Sequence, residues 1–241
     1  MSITASKAAL VAECGYSFRE GTPCVDERGR AAINGDRFHK AIASYIQSGV
    51  RPVETGRPLK WLEDRLDHAI AKVDALKASD WKVEMAFAYD PATGAGRVLG
   101  YDLGRKYAEA GLLPHEIAGS ADLVWMSGET VVVVDHKTGR SITDSVWPQM
   151  SWLCVMAARA LGAWAARAVI WHATDYGIIE YEQHYDDVAL ARIADGMRVN
   201  IAAVPDSWPT PGEWCSSLYC NAREACLPYQ QLVQIHRKEA S

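Results

Sequence analysis

The chain has 241 residues, 49% hydrophobic and 23% charged, an ordinary globular balance with enough apolar surface for one sizeable core. No apolar run approaches the roughly 20 residues of a membrane span, and the opening MSITASKAALVAEC has no basic stretch leading into an apolar one, so a cytoplasmic, membrane-free single domain over 1–241 is expected. A net charge of −5 excludes a generally basic coat, so nucleic acid would have to be met in a local groove, for which Arg28, Arg30, Arg37, Arg140 and Arg159 are available.

In chain order, Ser and Thr precede a short helical pattern that ends near Cys14-Gly15. After a loop at 20–30, a helix begins near Asn34-Gly35, with Phe38, Ile42, Tyr45 and Ile46 at helical spacing and His39 at the edge of that stripe. Residues 61–78 form an amphipathic helix burying Leu62, Leu66, Ile70, Val73 and Leu76. Residues 81–89 alternate as a strand, with Val83, Met85, Phe87 and Tyr89 on one face and Glu84 on the other. The glycine-rich stretch 92–116 reads as an irregular insertion. Beyond residue 150 come an apolar helix at 151–161 holding Cys154 as a buried thiol, a hairpin from 165–172 and 177–185, and a long helix at 187–204. This succession is mixed α/β, a central sheet flanked by helices.

The stretch GSADLVWMSGETVVVVDHKTGR, 119–140, carries the chemistry. Two β-rich runs flank Gly128-Glu129, a two-residue turn that pairs Ser127 with Thr130 and, counted outward, sets Asp122 opposite Asp135. Opposed residues lie about 5 Å apart at Cβ on one face, so a single divalent cation could bridge both carboxylates. Lys137 falls on the face of Asp135, and His136 points away. Two carboxylates with a lysine suit Mg²⁺ or Mn²⁺ and a metal-assisted phosphodiester hydrolysis in which the ammonium orients water.

These residues resemble the PD-(D/E)XK nuclease superfamily, in its RecB-type branch: GSAD at 119–122 matches a G-x-x-D motif, DHKTG at 135–139 a D/E-x-K-T-G motif, and PQMSWL at 148–153 the helix that opens with glutamine. The family form of the last is Q-x-x-x-Y; Leu153 stands at the tyrosine position, beside Trp152. The resemblance implies a restriction-endonuclease-like mixed sheet and a Mg²⁺- or Mn²⁺-dependent DNA exonuclease acting on single strands or duplex ends. Asp122, Asp135, Lys137 and Gln149 would be catalytic, and His39, Asp122, Asp135 and the His136 carbonyl would hold metal. GDRFHKAI at 35–42 matches the branch's early helix with a metal-binding histidine, and Glu84 sits where the branch often has a glutamate. It also implies a setting in phage recombination or CRISPR spacer processing, with a recombination or CRISPR-adaptation protein as partner. The alternative is a nuclease-fold DNA-binding or assembly subunit of weak catalysis with a structural zinc.

From Pro205 the composition shifts, and three of the six cysteines fall as C-x4-C-x5-C at Cys215, Cys220 and Cys226. A closed four-thiolate site needs a fourth ligand, for which Cys14 and Cys24 are candidates; iron–sulfur, zinc and unligated thiols are all open on the residues alone. The same family resemblance implies a [4Fe-4S] cluster on Cys14, Cys215, Cys220 and Cys226, tying 205–241 to the N-terminal region.

Overall fold

The structure, a computed structural model, describes residues 3–20, 22, 30–52, 60–76, 80–104, 106–139, 141–210, 215, 220, 222, 226–231 and 234. Its frame is a six-stranded sheet built from β1 (Lys82–Asp90), β2 (Ala95–Tyr101), β3 (Ile117–Ser127), β4 (Thr130–Lys137), β5 (Ala165–Thr174) and β6 (Gly177–Tyr185), in the order β2-β1-β3-β4-β5-β6. Every neighbouring pair is antiparallel except β4 and β5, which are parallel. A parallel pair needs a crossover, and α4 (Val146–Leu161) supplies it.

Helices cover both faces. α1 (Ala8–Glu13), α4 and α5 (Asp187–Ala202) bury one face with Met85, Phe87, Val131, Val133 and Ile170. On the other, α2 (Arg30–Ser48) and α3 (Lys60–Leu76) pack Phe38, Ile42, Leu62 and Leu66 together, above a layer of Val132, Val134 and Trp171. This double burial explains the unbroken VVVV run of β4, because a strand covered on both sides needs apolar residues at every position. Of the stripe read on α3, Leu76 alone is exposed, at the helix's last residue. α5 is started by Asp186, whose carboxylate accepts the Ala189 N–H at 2.7 Å.

The structure corrects two local expectations. β2 lies within the stretch read as irregular, at the edge of the sheet beside β1. Its glycine belongs to packing: a Cβ on Gly96 would lie 2.7 Å from Arg159 Cβ and 2.9 Å from the Ala160 nitrogen, so α4 crosses β2 almost backbone to backbone. β1 does not alternate throughout. Val83 pairs with Leu123 and both face α2 and α3, whereas Met85 pairs with Ala121 and both face α4. The switch falls at Glu84, a non-glycine residue at φ 49, and opposite it at Asp122.

Among the described residues, no helix is long and apolar enough to cross a membrane.

Candidate active site

The β3–β4 turn forms as its glycine dictates, with Gly128 at φ 62 and Ser127 paired to Thr130. The ladder runs outward to Leu123 and Val134 and stops one step short of Asp122 and Asp135. At that fork the Asp122 carboxylate replaces backbone: Oδ2 accepts the main-chain N–H of His136 and also that residue's Nδ1–H at 3.1 Å. Oδ1 lies 3.1 Å from Nδ1 of His39 on α2. The expectation of two opposed aspartates sharing one face is therefore corrected. Asp122 turns toward α2, while Asp135 turns toward α4, where Gln149 Nε2 donates to its Oδ1 at 3.2 Å and the Lys137 ammonium lies 2.6 Å from its Oδ2.

His136 points to the face opposite Asp135, as read, but its ring is not idle there. It is buried edge-on against Phe38 and Trp171, fixed by Asp122, and its Nε2 finds no hydrogen-bond partner among the described residues. Its carbonyl oxygen accepts from His39 Nε2 at 3.0 Å. Both nitrogens of His39 thus face acceptors, which calls for the imidazolium form. Burial alone would depress that histidine, yet the adjoining Asp122 carboxylate outweighs it and pushes His39 up to about 9. Burial likewise works against ionised Asp122, and the charge of His39 together with the His136 hydrogen bond holds it well below the usual carboxylate range.

Glu84 completes this side. One ligand atom each from His39, Glu84 and Asp122 falls within 4.8 Å of the others. Burial, then the charge of Asp122, pushes the Glu84 carboxyl up to about 7. An imidazolium wedged against one carboxylate, with a second held partly protonated beside it, is a donor set that a divalent cation would relieve. Oxygen donors with one imidazole fit Mg²⁺ or, better, Mn²⁺. The sequence had Glu84 on the far face of a regular strand, at a position where the resembled branch often has a glutamate; the break in alternation that brings it here, on the strand directly beside β3, has no local signal.

The N-terminal motif glycine is explained by close approach. A Cβ on Gly119 would lie 2.7 Å from Leu153 Cδ2 and 2.9 Å from Ala5 Cβ. Leu153, at the position of the family's tyrosine, and Trp152 are both buried in the apolar layer beneath α4.

A model of the PD-(D/E)XK nuclease superfamily matches residues 2–227. The chain belongs to that superfamily. Its mixed six-stranded sheet between helical layers agrees with the restriction-endonuclease-like fold of these nucleases. Two solved structures are similar to it: LHK-Exo in complex with dAMP, at 11% identity over 85% of this chain and 88% of that one (TM-score 0.38), and a phage related exonuclease from Haemophilus somnus 129PT, at 9% identity over 86% and 94% (TM-score 0.35). No curated protein matches the chain.

Of the cysteines, Cys14, Cys215, Cys220 and Cys226 are buried. The Cys220 thiol is pushed up by burial first and then by Cys215, Cys14 and Cys226, so the N-terminal sulfur and the three C-terminal ones share one neighbourhood. The Thr210 N–H points at Cys14 Sγ at 3.5 Å. The four buried thiols lie near one another, but among the described residues the group whose ligand atoms come within metal-holding distance is His39, Glu84 and Asp122. Cys154 is buried apart, its thiol raised by desolvation alone. Arg28, Arg140 and Cys24 lie outside the described residues.

Proposed function

We propose that this nuclease is a Mg²⁺- or Mn²⁺-dependent DNA exonuclease whose cation is held by His39, Asp122 and Glu84, with Asp135 and the His136 carbonyl completing the site. The observation that carries this reading is the pair of clusters meeting at the β3–β4 fork: His39, Glu84 and Asp122 on one side, and Lys137, Asp135 and Gln149 on the other. Bound there, the cation would supply Lewis acidity toward the phosphate and its attacking water. The remaining work falls to side chains. The Lys137 ammonium, anchored on Asp135, orients water and offsets charge growing on the phosphate. Gln149 keeps Asp135 turned toward Lys137. To hold a cation beside Asp122, His39 would have to be neutral, giving up its Nδ1 proton to solvent.

The four buried thiols support a [4Fe-4S] cluster joining the two ends of the chain, with zinc as the alternative. DNA single strands or duplex ends as substrate, and a phage recombination or CRISPR-adaptation partner, follow from the branch the motifs resemble. The exonuclease reading is tested with end-labelled linear and covalently closed circular DNA, each with Mg²⁺, Mn²⁺ or EDTA. Degradation of linear DNA with metal and sparing of circles supports it; nicking of circles at the same rate rejects it in favour of an endonuclease.

A further inference from the structure

Two side chains from separate elements close on the segment after Lys137, and the mechanism so far uses neither. Arg65 of α3 donates through Nη1 to the Thr138 carbonyl and through Nε to Asp175 at 2.9 Å. Asp175 lies in the turn between β5 and β6, so one guanidinium ties that turn to the end of β4. His172 of β5 sits beside Lys137 in the parallel register, and its Nε2 is 2.7 Å from the Gly139 carbonyl oxygen. A carbonyl only accepts, so Nε2 carries the proton there, and the buried Nδ1 has no hydrogen-bond partner among the described residues. From a third side α2 approaches, a Cβ on its Gly35 reaching 3.9 Å from Thr138 Oγ1.

Lys137 is the last residue of β4 and the last to pair with β5. Past it the ladder offers no partner, and a strand end left to water frays. Burying a guanidinium and an imidazole is costly unless their donors are satisfied, and here both are satisfied by consecutive carbonyls directly after the lysine. The Arg65 side chain is only 13% exposed, and His172 as a residue only 4%. An ammonium on a flexible four-carbon stem works only if its backbone root is fixed, since an error near 1 Å costs about a hundredfold in rate.

We propose that Arg65 and His172 are positioning residues for Lys137, replacing the missing ladder bonds so that the ammonium stays seated against Asp135. The proposal rests on the nuclease reading of Lys137. It makes α3, which carries none of the cluster around the cation, a brace for the reaction.

The test is steady-state cleavage of linear DNA at saturating Mn²⁺ by wild type, Arg65→Met, Arg65→Lys, His172→Leu, His172→Gln and Lys137→Ala. Assays are run well below the lowest melting temperature and normalised to folded protein. Arg51→Met is the control, because Arg51 forms an ion pair with the same helix, at Asp67, away from this segment. Arg65→Met and His172→Leu are expected to lower kcat about tenfold to a hundredfold with KM within about twofold. His172→Gln, which keeps an N–H donor near the Nε2 position, should recover most of the loss, and Arg65→Lys, which cannot span both acceptors, only part. Arg51→Met should match wild type. Unchanged kcat in Arg65→Met and His172→Leu, a loss confined to KM, or failure of His172→Gln to recover while folded would overturn the proposal. A wild type that cleaves no better than Lys137→Ala would instead overturn the nuclease reading, and this one with it.

Discussion

Lys137 is the residue whose loss should separate chemistry from folding. Its side chain is 30% exposed, with the ammonium 2.6 Å from the Asp135 carboxylate, so Lys137→Ala removes little core packing. We expect its turnover of linear DNA to fall at least about a hundredfold, as for other groups that stabilise transition-state charge, while the melting temperature moves by no more than about 2 °C. His39 and Glu84 make a second prediction, about pH. In the metal-free protein His39 is raised to about 9 from 6.5, so its contribution to stability is complete below about 6.5 and is lost as pH rises through 9. Glu84, raised to about 7 from 4.5, works in the same direction: the folded state holds its proton more tightly, and stability drains as pH climbs from 4.5 through 7. Metal-free protein should therefore melt a few degrees lower at pH 9 than at pH 6.5. Mn²⁺ should raise the melting temperature more at pH 9 than at pH 6.5, because less proton must be displaced. Thermal denaturation with and without Mn²⁺ at the two values checks both; an equal metal-induced rise at both would detach His39 and Glu84 from the cation.

At the scale of elements, α4 meets the sheet through glycines. Gly119→Ala would force its Cβ against Leu153 and Ala5, and an overpacked core of this kind costs about 1–3 kcal/mol, a drop of several degrees in melting temperature by calorimetry. A variant melting with wild type would show that α4 can shift on β3. The same contacts explain what could be read from sequence. β3, β4, β5 and β6 were legible because alternation, a VVVV run and a glycine turn are local signals, and the motif residues lie on them or just after: Asp122 within β3, Asp135 and Lys137 at the end of β4, and Gln149 in the first turn of α4. β2 was not, because Gly96 looks like a turn residue until α4 is laid across it. The reversal at Glu84 was equally invisible: a left-handed glutamate is chosen by its surroundings, and pairing Asp122 with Asp135 by counting assumed a ladder that the Asp122 carboxylate in fact ends. Arg65 and His172 carry no motif and gain their role only when α3 and β5 converge on one loop.

At the scale of the whole molecule, the two ends of the chain meet at Cys14 and the cysteines beyond residue 205. If these four thiolates hold a cluster, the tie closes a loop of about 200 residues and contributes to the stability of the whole domain more than to the tail. Cys220→Ser should then lower the melting temperature of the entire transition and bleach any absorption near 400 nm. Its cleavage should fall only in step with its folded fraction, as followed by circular dichroism against rate. A fully folded Cys220→Ser protein that no longer cleaves would place the cysteine site in the reaction itself.

Whether cation chemistry at the β3–β4 fork cuts DNA is read from a paired measurement on wild type and Asp122→Asn: Mn²⁺ binding by isothermal titration calorimetry, and cleavage of end-labelled linear DNA. Wild type should bind Mn²⁺ and cleave only with it, and Asp122→Asn should lose both. An Asp122→Asn protein that binds Mn²⁺ and cleaves like wild type would contradict this reading.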